Sequence, residues 1–273
     1  MRKKEVIKEK IRNEHIATNL ISHLKSDIIG ECKGLFSTQT IIPKGELIRI
    51  DSKVQQSETH WESVSEITGN AIPLYYALKE FGHDINDTYI KLNGNDDHIN
   101  ILRISNTSMS KFTGEYYKLE QIKKYNWLSP NQLKRCIDRL NTVRDNGIIR
   151  REGIFEKIIT HQNNENESYL YKLIGRVDYM DEDNVVEFKC VKSLEIEHML
   201  QLLLYKYILE KEGYKKKYYL YNVYDGHLLR LDSTLENMET IVWKLIKTKY
   251  IDKEKYGTDE SFLEELKARD ILV

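Results

Sequence analysis

Cysteine and proline are scarce in this chain of 273 residues, with three of each. Cys32, Cys136 and Cys190 are odd in number and far apart. Neither a secreted disulfide framework nor a four-cysteine zinc or iron–sulfur site is expected from them. With so little proline and only 13 glycines, a linker-rich or disordered chain is not expected either. An excess of one sign of charge is also missing. Lys and Arg number 42 against 43 Asp and Glu, a formal charge of −1, so any basic surface must be local. No run approaches the ~20 apolar residues that a membrane span requires. The most apolar helical stretch, residues 199–209, is interrupted by Gln201 and Lys206. The opening residues are charged, and no signal-type apolar run follows them. These absences lead us to expect an intracellular protein that is reduced, not secreted, and has no membrane partner.

What is present fits a globular chain with a core: 40% of residues are hydrophobic and 31% charged. The length suits one large domain or two small ones. Tyrosine is abundant, at 18 residues, many of them in the second half. There is no internal repeat and no low-complexity tract.

The first 25 residues space Val6, Ile7, Ile11, Ile16, Leu20, Ile21 and Leu24 at helical intervals, which predicts an amphipathic helix. Residues 34–50 hold two β-rich runs around a Pro43-Lys44-Gly45 turn and read as a hairpin or two short strands. Residues 61–82 read as a helix ending at Gly82. The polar segment 86–97 is the best candidate boundary, dividing an N-terminal α+β region (1–95) from a second domain (96–273). Residues 99–104 read as a short strand and 118–143 as helical, with Ser129 and Pro130 as cap and first helical residue.

The last 120 residues carry the clearest pattern. Strands are expected at 155–160, 169–178 and 185–191, with a polar loop at 161–168 and a tight acidic turn at 181–184. A long helix over 194–212 stops near Gly213. A hairpin follows, 217–223 and 228–231, turning at Asp225-Gly226, and then C-terminal helices. Strand, strand, strand, helix, strand, strand describes an α/β core with a mixed central sheet flanked by helices.

Within that core, Gly175 and Asp178 close one strand, and Glu187 and Lys189 stand two apart on the next. Residues two apart on a strand share a face, so Glu187 and Lys189 project together and Val186, Phe188 and Cys190 project oppositely. Pairing across the turn can bring Asp178 beside Glu187. Two carboxylates and a backbone carbonyl make a hard oxygen site for Mg²⁺ or Mn²⁺. Acid-x-Lys triplets also occur at 31–33, 51–53 and 265–267, and a solvated strand edge would account for any one of them. Context separates 187–189 from the others: a Val-Val-x-Phe strand, a tight turn before it, and a polar stripe on the helix after it. That stripe is His198, Gln201 and Tyr205, spaced to share one helix face. Gln201 lies among Leu and Met, where an amide needs a partner.

Residues 173–209 resemble the core of the PD-(D/E)XK nuclease superfamily, in its RecB-type branch. That branch has a G-x-x-D strand, a (D/E)-x-K strand and a helix bearing Q-x-x-x-Y, matched here by Gly175, Asp178, Glu187, Lys189, Gln201 and Tyr205. The resemblance implies a restriction-endonuclease-like core and a metal-dependent DNA nuclease, expected to be an exonuclease. It implies that Asp178, Glu187 and the Phe188 carbonyl bind Mg²⁺, or Mn²⁺, and that Lys189 acts in catalysis. Gln201 would support the site, and Glu156 would be the upstream acid that completes it. No iron–sulfur cluster is expected, because branch members that hold one use four cysteines. Residues 118–128 resemble the helical lead-in of RecB-like nucleases of large DNA viruses, which would extend the module over about residues 98–273. DNA is the implied partner, with a helicase or other DNA-processing proteins, in repair, recombination or viral DNA processing. Tyr205 and the Tyr-flanked Lys215, Lys216 and Lys217 are the candidate substrate contacts, as cations interleaved with aromatics suit nucleic acid.

Residues 34–48 are also similar to the opening strands of SET-domain methyltransferases. Only residues 106–108 and 114–117 approach the other segments those enzymes need, at far too short a spacing. Two alternatives to the nuclease therefore stand: a catalytically inactive DNA-binding module of the same fold, and a SET-like methyltransferase or peptide-binding function in residues 1–95.

Overall fold

The computed structural model describes residues 14–22, 24, 26–82, 96–114, 116–163 and 170–251. Its elements in chain order begin with β1 (Glu14–Ile16), α1 (Ala17–Ile21), α2 (Ser26–Lys33), β2 (Ser37–Ile42), β3 (Lys53–Gln55) and β4 (Trp61–Ser63). Next come α3 (Ser65–Phe81), α4 (Asp97–Thr113), α5 (Tyr117–Gln121) and α6 (Pro130–Asp145). The remainder is β5 (Ile154–Asn163), β6 (Tyr171–Met180), β7 (Asn184–Lys189), α7 (Ile196–Lys211), β8 (Lys217–Asn222), β9 (His227–Asp232) and α8 (Leu235–Ile246). A π-helical turn, Lys247–Ile251, follows. Among the described residues no helix is long and apolar enough to cross a membrane.

The α/β expectation holds. Among the described residues, seven strands form one mixed sheet in the order β1-β6-β7-β8-β9-β2, with β5 also on β6, while β3 and β4 make a separate ribbon. The β7–β8 and β1–β6 pairs are parallel and the others antiparallel. Strands from both sides of residue 95 share this sheet.

Alternation places the two halves of each strand's side chains in two cores. Val186, Phe188, Tyr219 and Tyr221 pack with residues of α3, α4 and α6. Val185, Tyr218, Leu220 and Leu229 pack with α1, α7 and α8. Much of the tyrosine is spent here: Tyr76, Tyr179, Tyr205, Tyr207, Tyr218 and Tyr221 are among the largest fully buried side chains. The central α7 is buried almost all round, as its near-continuous apolar sequence requires.

Local signals placed several boundaries well. Gly82 takes the left-handed conformation (φ 66°) that ends α3, its N–H donating to the Ala77 carbonyl. Ser129 caps α6: its Oγ accepts from Gln132 N–H at 3.2 Å, and Gln132 Oε1 accepts from Ser129 N–H at 2.7 Å.

Three expectations are corrected. Residues 99–104 belong to the helix α4, not a strand. Its buried positions, Ile101, Leu102, Ser105 and Asn106, follow a helical period that the two polar residues concealed. Residues 34–50 hold one strand, β2, which pairs with β9 rather than forming a hairpin. The next stretch is drawn elsewhere, as Gly45 and Ile48 N–H donate to the Asp225 and Tyr224 carbonyls at 2.6 and 2.7 Å. Residues 61–63 are strand β4, so the helix starts at Ser65. The helix expected over the first 25 residues lies largely outside the described residues. Within them, Glu14–Ile16 is strand and Ala17–Ile21 helix. The proposed boundary segment 86–97 is likewise outside them up to residue 95.

Candidate active site

The site begins where the sheet forks. β5 pairs with β6 from Ile154–Met180 to Asn163–Tyr171 and occupies one edge of it. The other edge is shared by β1, opposite residues 172–174, and β7, opposite 179–180. Between them β6 has no ladder partner on that side among the described residues. The next pair in the β6–β7 register would be Asp178 opposite Glu187, and there the strands part. The Phe188 N–H, deprived of a ladder carbonyl, donates instead to Asp178 Oδ2 at 2.8 Å. A carboxylate stands in the place of a main-chain acceptor, so the fork is built into the pairing.

β7 carries Glu187 and Lys189 on the face that meets α7. Lys189 Nζ donates to Glu187 Oε1 at 2.7 Å and to Gln201 Oε1 at 2.8 Å. Gln201 Nε2 donates to the same Glu187 Oε1 at 2.8 Å and to the Tyr205 hydroxyl at 2.6 Å. The costly buried amide therefore has every partner it needs. Tyr205 lies over Gly175, where an added β-carbon would stand 2.7 Å from its ring. That close approach is the physical reason for glycine at this point.

Charge is concentrated in this small volume. Burial, and then the neighbouring charge of Glu187, push the Asp178 carboxyl well above the usual carboxylate range. Burial works against the Lys189 ammonium, but Glu187 and Asp178 outweigh it and hold its pKa above the ordinary lysine value. Burial and Glu187 likewise keep the Tyr205 phenol protonated far beyond its usual range. One atom is left over. Glu187 Oε2 is buried and has no hydrogen-bond partner among the described residues, although an unmet buried acceptor costs about 1–3 kcal/mol and more when charged. Hard carboxylate oxygens, one of them unpaired, suit Mg²⁺ or Mn²⁺.

These residues floor a cleft of about 500 Å³. Its walls include residues that the sequence reading missed. Ser65, Glu66, Gly69 and Asn70 come from the first turns of α3, and Ile16 to Thr18 from the β1–α1 junction. Met109 and Arg176 also line it. Glu66 is held by Lys118 Nζ at 3.1 Å, and Asn70 Nδ2 donates to the buried Ser105 Oγ at 3.2 Å. The spacing of Glu66, Gly69, Asn70 and Pro73 along one helix face was the available signal.

Glu156 is placed level with the pair. In register it lies opposite Asp178 on β5, yet it falls out of the ladder with φ 54°, the one non-glycine residue of positive φ among those described. Such an outlier costs about 1–3 kcal/mol. Its exposed carboxylate lies 4.0 Å from Arg176 Nη1. It lines a small pocket together with Asp178, Asn70 and Pro73. Among the described residues no group of three or more His, Cys, Asp or Glu is gathered as a metal set, and the place of Glu156 as the completing acid is a proposal.

Lys215, Lys216 and Lys217 are not at the cleft. Lys217 pairs with Asn184 at the start of β7, whereas Lys189 pairs with Asn222. At about 3.3 Å per residue the two ends are ~17 Å apart. Lys216 Nζ donates to the Asp181 and Glu182 carbonyls at 2.5 and 2.7 Å. These lysines line a different concavity with Tyr214 and Glu210. His198 stands at the start of α7, its Nδ1 accepting from Glu195 N–H at 2.8 Å.

No protein-family profile matches the chain, and no curated protein matches it significantly. Among solved structures it is similar to SSO0001, at 16% identity over 67% of this chain and 86% of that one, with a TM-score of 0.30. It is also similar to a candidate exonuclease from Eubacterium rectale, at 12% identity over 70% and 83% of the two chains, with a TM-score of 0.32.

Proposed function

We propose that this chain is a metal-dependent phosphodiesterase acting on DNA, of the PD-(D/E)XK type and RecB-like branch, and an exonuclease in form. The observation that carries the reading is the interlocked set Asp178, Glu187, Lys189 and Gln201 at the sheet fork, with one buried Glu187 oxygen unsatisfied. Asp178 and Glu187 would hold the cation, with the Phe188 carbonyl as a third oxygen. Two acids suit Mg²⁺, which keeps several of its waters. When bound, the cation supplies positive charge for a phosphate oxygen and lowers the pKa of a coordinated water.

The remaining roles fall to the chain itself. Lys189 is charged and aimed by two acceptors, so it stabilises negative charge building on the attacked phosphate rather than accepting a proton. Gln201 positions both Glu187 and Lys189 through a single amide. Tyr205 fixes that amide in turn. Water attacks phosphorus and the bond to the 3′ oxygen breaks, leaving a 3′-hydroxyl and a 5′-phosphate.

The test uses end-labelled linear and circular DNA. Wild-type protein is expected to degrade linear DNA in Mg²⁺ or Mn²⁺ and to spare circles. Asp178→Asn and Lys189→Gln keep the side-chain volume and should lower that cleavage by about 10²–10³-fold. Undiminished cleavage in both variants, or none by the wild type with either metal, would sink the reading.

A further inference from the structure

Among the residues lining the cleft, Arg176 and Lys189 carry the positive charge. Arg176 stands on β6 two residues before Asp178, about 7 Å along the strand. It lies within the fork, between the part of β6 that pairs with β1 and the part that pairs with β7. Its charge reaches the site. At Asp178 and at Tyr205, burial and then Glu187 push the pKa up, and the Arg176 charge works against both. Exposure separates the two cations. The Lys189 side chain is 16% exposed, and its ammonium is committed to Glu187 and Gln201. The Arg176 side chain is 35% exposed, and Glu156 Oε1 lies 4.0 Å from its Nη1. That is beyond hydrogen-bonding distance, so this contact attracts the guanidinium without claiming a donor.

We infer that Arg176 is a substrate-binding residue that grips a phosphate next to the one attacked. The inference rests on the phosphodiesterase reading for the identity of the ligand. A guanidinium is planar and always charged, and its parallel N–H donors match two non-bridging oxygens of a phosphate. The two cations divide the work by position. Lys189 is buried against Glu187, where charge builds during the reaction. Arg176 is one strand step along β6 and reaches solvent, where a neighbouring phosphate of the chain passes. The acids of the cleft leave this role open. Asp178 and Glu187 are the proposed cation ligands, and Glu66 is paired with Lys118 at 3.1 Å. Glu156 competes for the guanidinium, but an oxyanion that takes two parallel bonds displaces a contact of 4.0 Å. An internal phosphodiester and a terminal phosphate present the same pair of oxygens.

Two measurements on the full-length protein test it. Cleavage of short labelled DNA in Mg²⁺ gives KM and kcat, and anisotropy in EDTA gives binding of the same DNA across a range of salt. Arg176→Gln is expected to raise KM about tenfold or more and to change kcat by less than about twofold, the mark of a lost contact away from the reacting atoms. Its slope of log affinity against log salt should shrink by about 0.7–1, one phosphate contact. Arg176→Lys returns the charge without the fork, so it should restore the slope and only part of KM. DNA with a 5′-phosphate and DNA with a 5′-hydroxyl form separate arms. A loss confined to the first assigns the grip to a terminal phosphate, and a loss with both assigns it to an internal one. Unchanged KM and slope in Arg176→Gln overturn the inference, as does a fall in kcat with KM unchanged, or no DNA binding by the wild type. If Arg176→Gln does not fold, a wild-type KM in Arg176→Lys overturns it instead. The two readings fail separately. Cleavage lost in Lys189→Gln, with Arg176→Gln normal in both measurements, keeps the nuclease and removes the grip. An Arg176-dependent salt slope with no metal-dependent cleavage does the reverse.

Discussion

A methyl group is enough to disturb the floor of the cleft. At Gly175 a β-carbon would lie 2.7 and 2.8 Å from two ring carbons of Tyr205, and that ring is buried against α7's own neighbours. Gly175→Ala should therefore destabilise the protein by about 1–3 kcal/mol, the usual cost of overpacking, and displace Gln201 with Tyr205. Urea unfolding of Gly175→Ala, Tyr205→Ala and the double variant checks this. The double variant is expected to cost less than the two single changes together, because removing the ring removes the clash. Strict additivity would exclude the contact as the cause. At this scale the sequence was informative wherever period mattered. Glu187 and Lys189 share a face because a strand repeats every two residues, and Gln201 meets Tyr205 because a helix repeats every 3.6. It was uninformative where a residue's worth depended on which oxygen was left over, as with Glu187 Oε2.

Helix α7 links the site to pH. His198 Nδ1 accepts from Glu195 N–H, so the imidazole is neutral in the folded protein. Burial, then the positive charge of Lys189, lower its pKa from the ordinary 6.5. Below pH 6.5 the unfolded chain takes up a proton that the folded chain resists, so stability rises with pH across that window. The contribution is complete above 6.5 and is lost as the pH falls through the lowered folded value. Urea midpoints at neutral and mildly acidic pH should fall further on acidification in the wild type than in His198→Gln. Equal losses would show that the cap does not titrate. Ser129 provides the contrasting case, a cap legible from Ser, Pro and Gln at fixed spacing and independent of pH. Helix α4 went unread for the opposite reason. Its buried Ser105 and Asn106 look like loop residues until Ile67 and Tyr125 are brought to them.

On the scale of the whole molecule, the sheet joins segments far apart in sequence. β1 completes the fork against β6, β2 covers β9, and α3 supplies both core residues and a wall of the cleft. A chain beginning at residue 96 would expose β9 and one edge of β6, and would strip the α3-side core of Val64, Ile67, Ala71, Ile72 and Tyr76. Exposed edges of that kind invite aggregation. We expect residues 96–273 produced alone to lack the cooperative thermal unfolding of the full chain, as seen by circular dichroism. A sharp transition near the full-length midpoint would show that the second part folds independently.

By itself the sequence determined what is local: the strand-turn-strand that sets Asp178 against Glu187, the shared face of Glu187 and Lys189, the helix bearing Gln201 and Tyr205, and the absence of cysteines for a cluster. Backbone geometry imposes these periods on any chain of this pattern, so they can be read without neighbours. Only the tertiary structure decided that the strands part at Asp178 and that α3 walls the opening. It also set Glu156 level with the acids and placed Lys217 at the opposite end of the β7–β8 pair from Lys189. Those outcomes depend on pairings between segments tens to hundreds of residues apart. Their contact partners leave no trace in the local spacing of either segment.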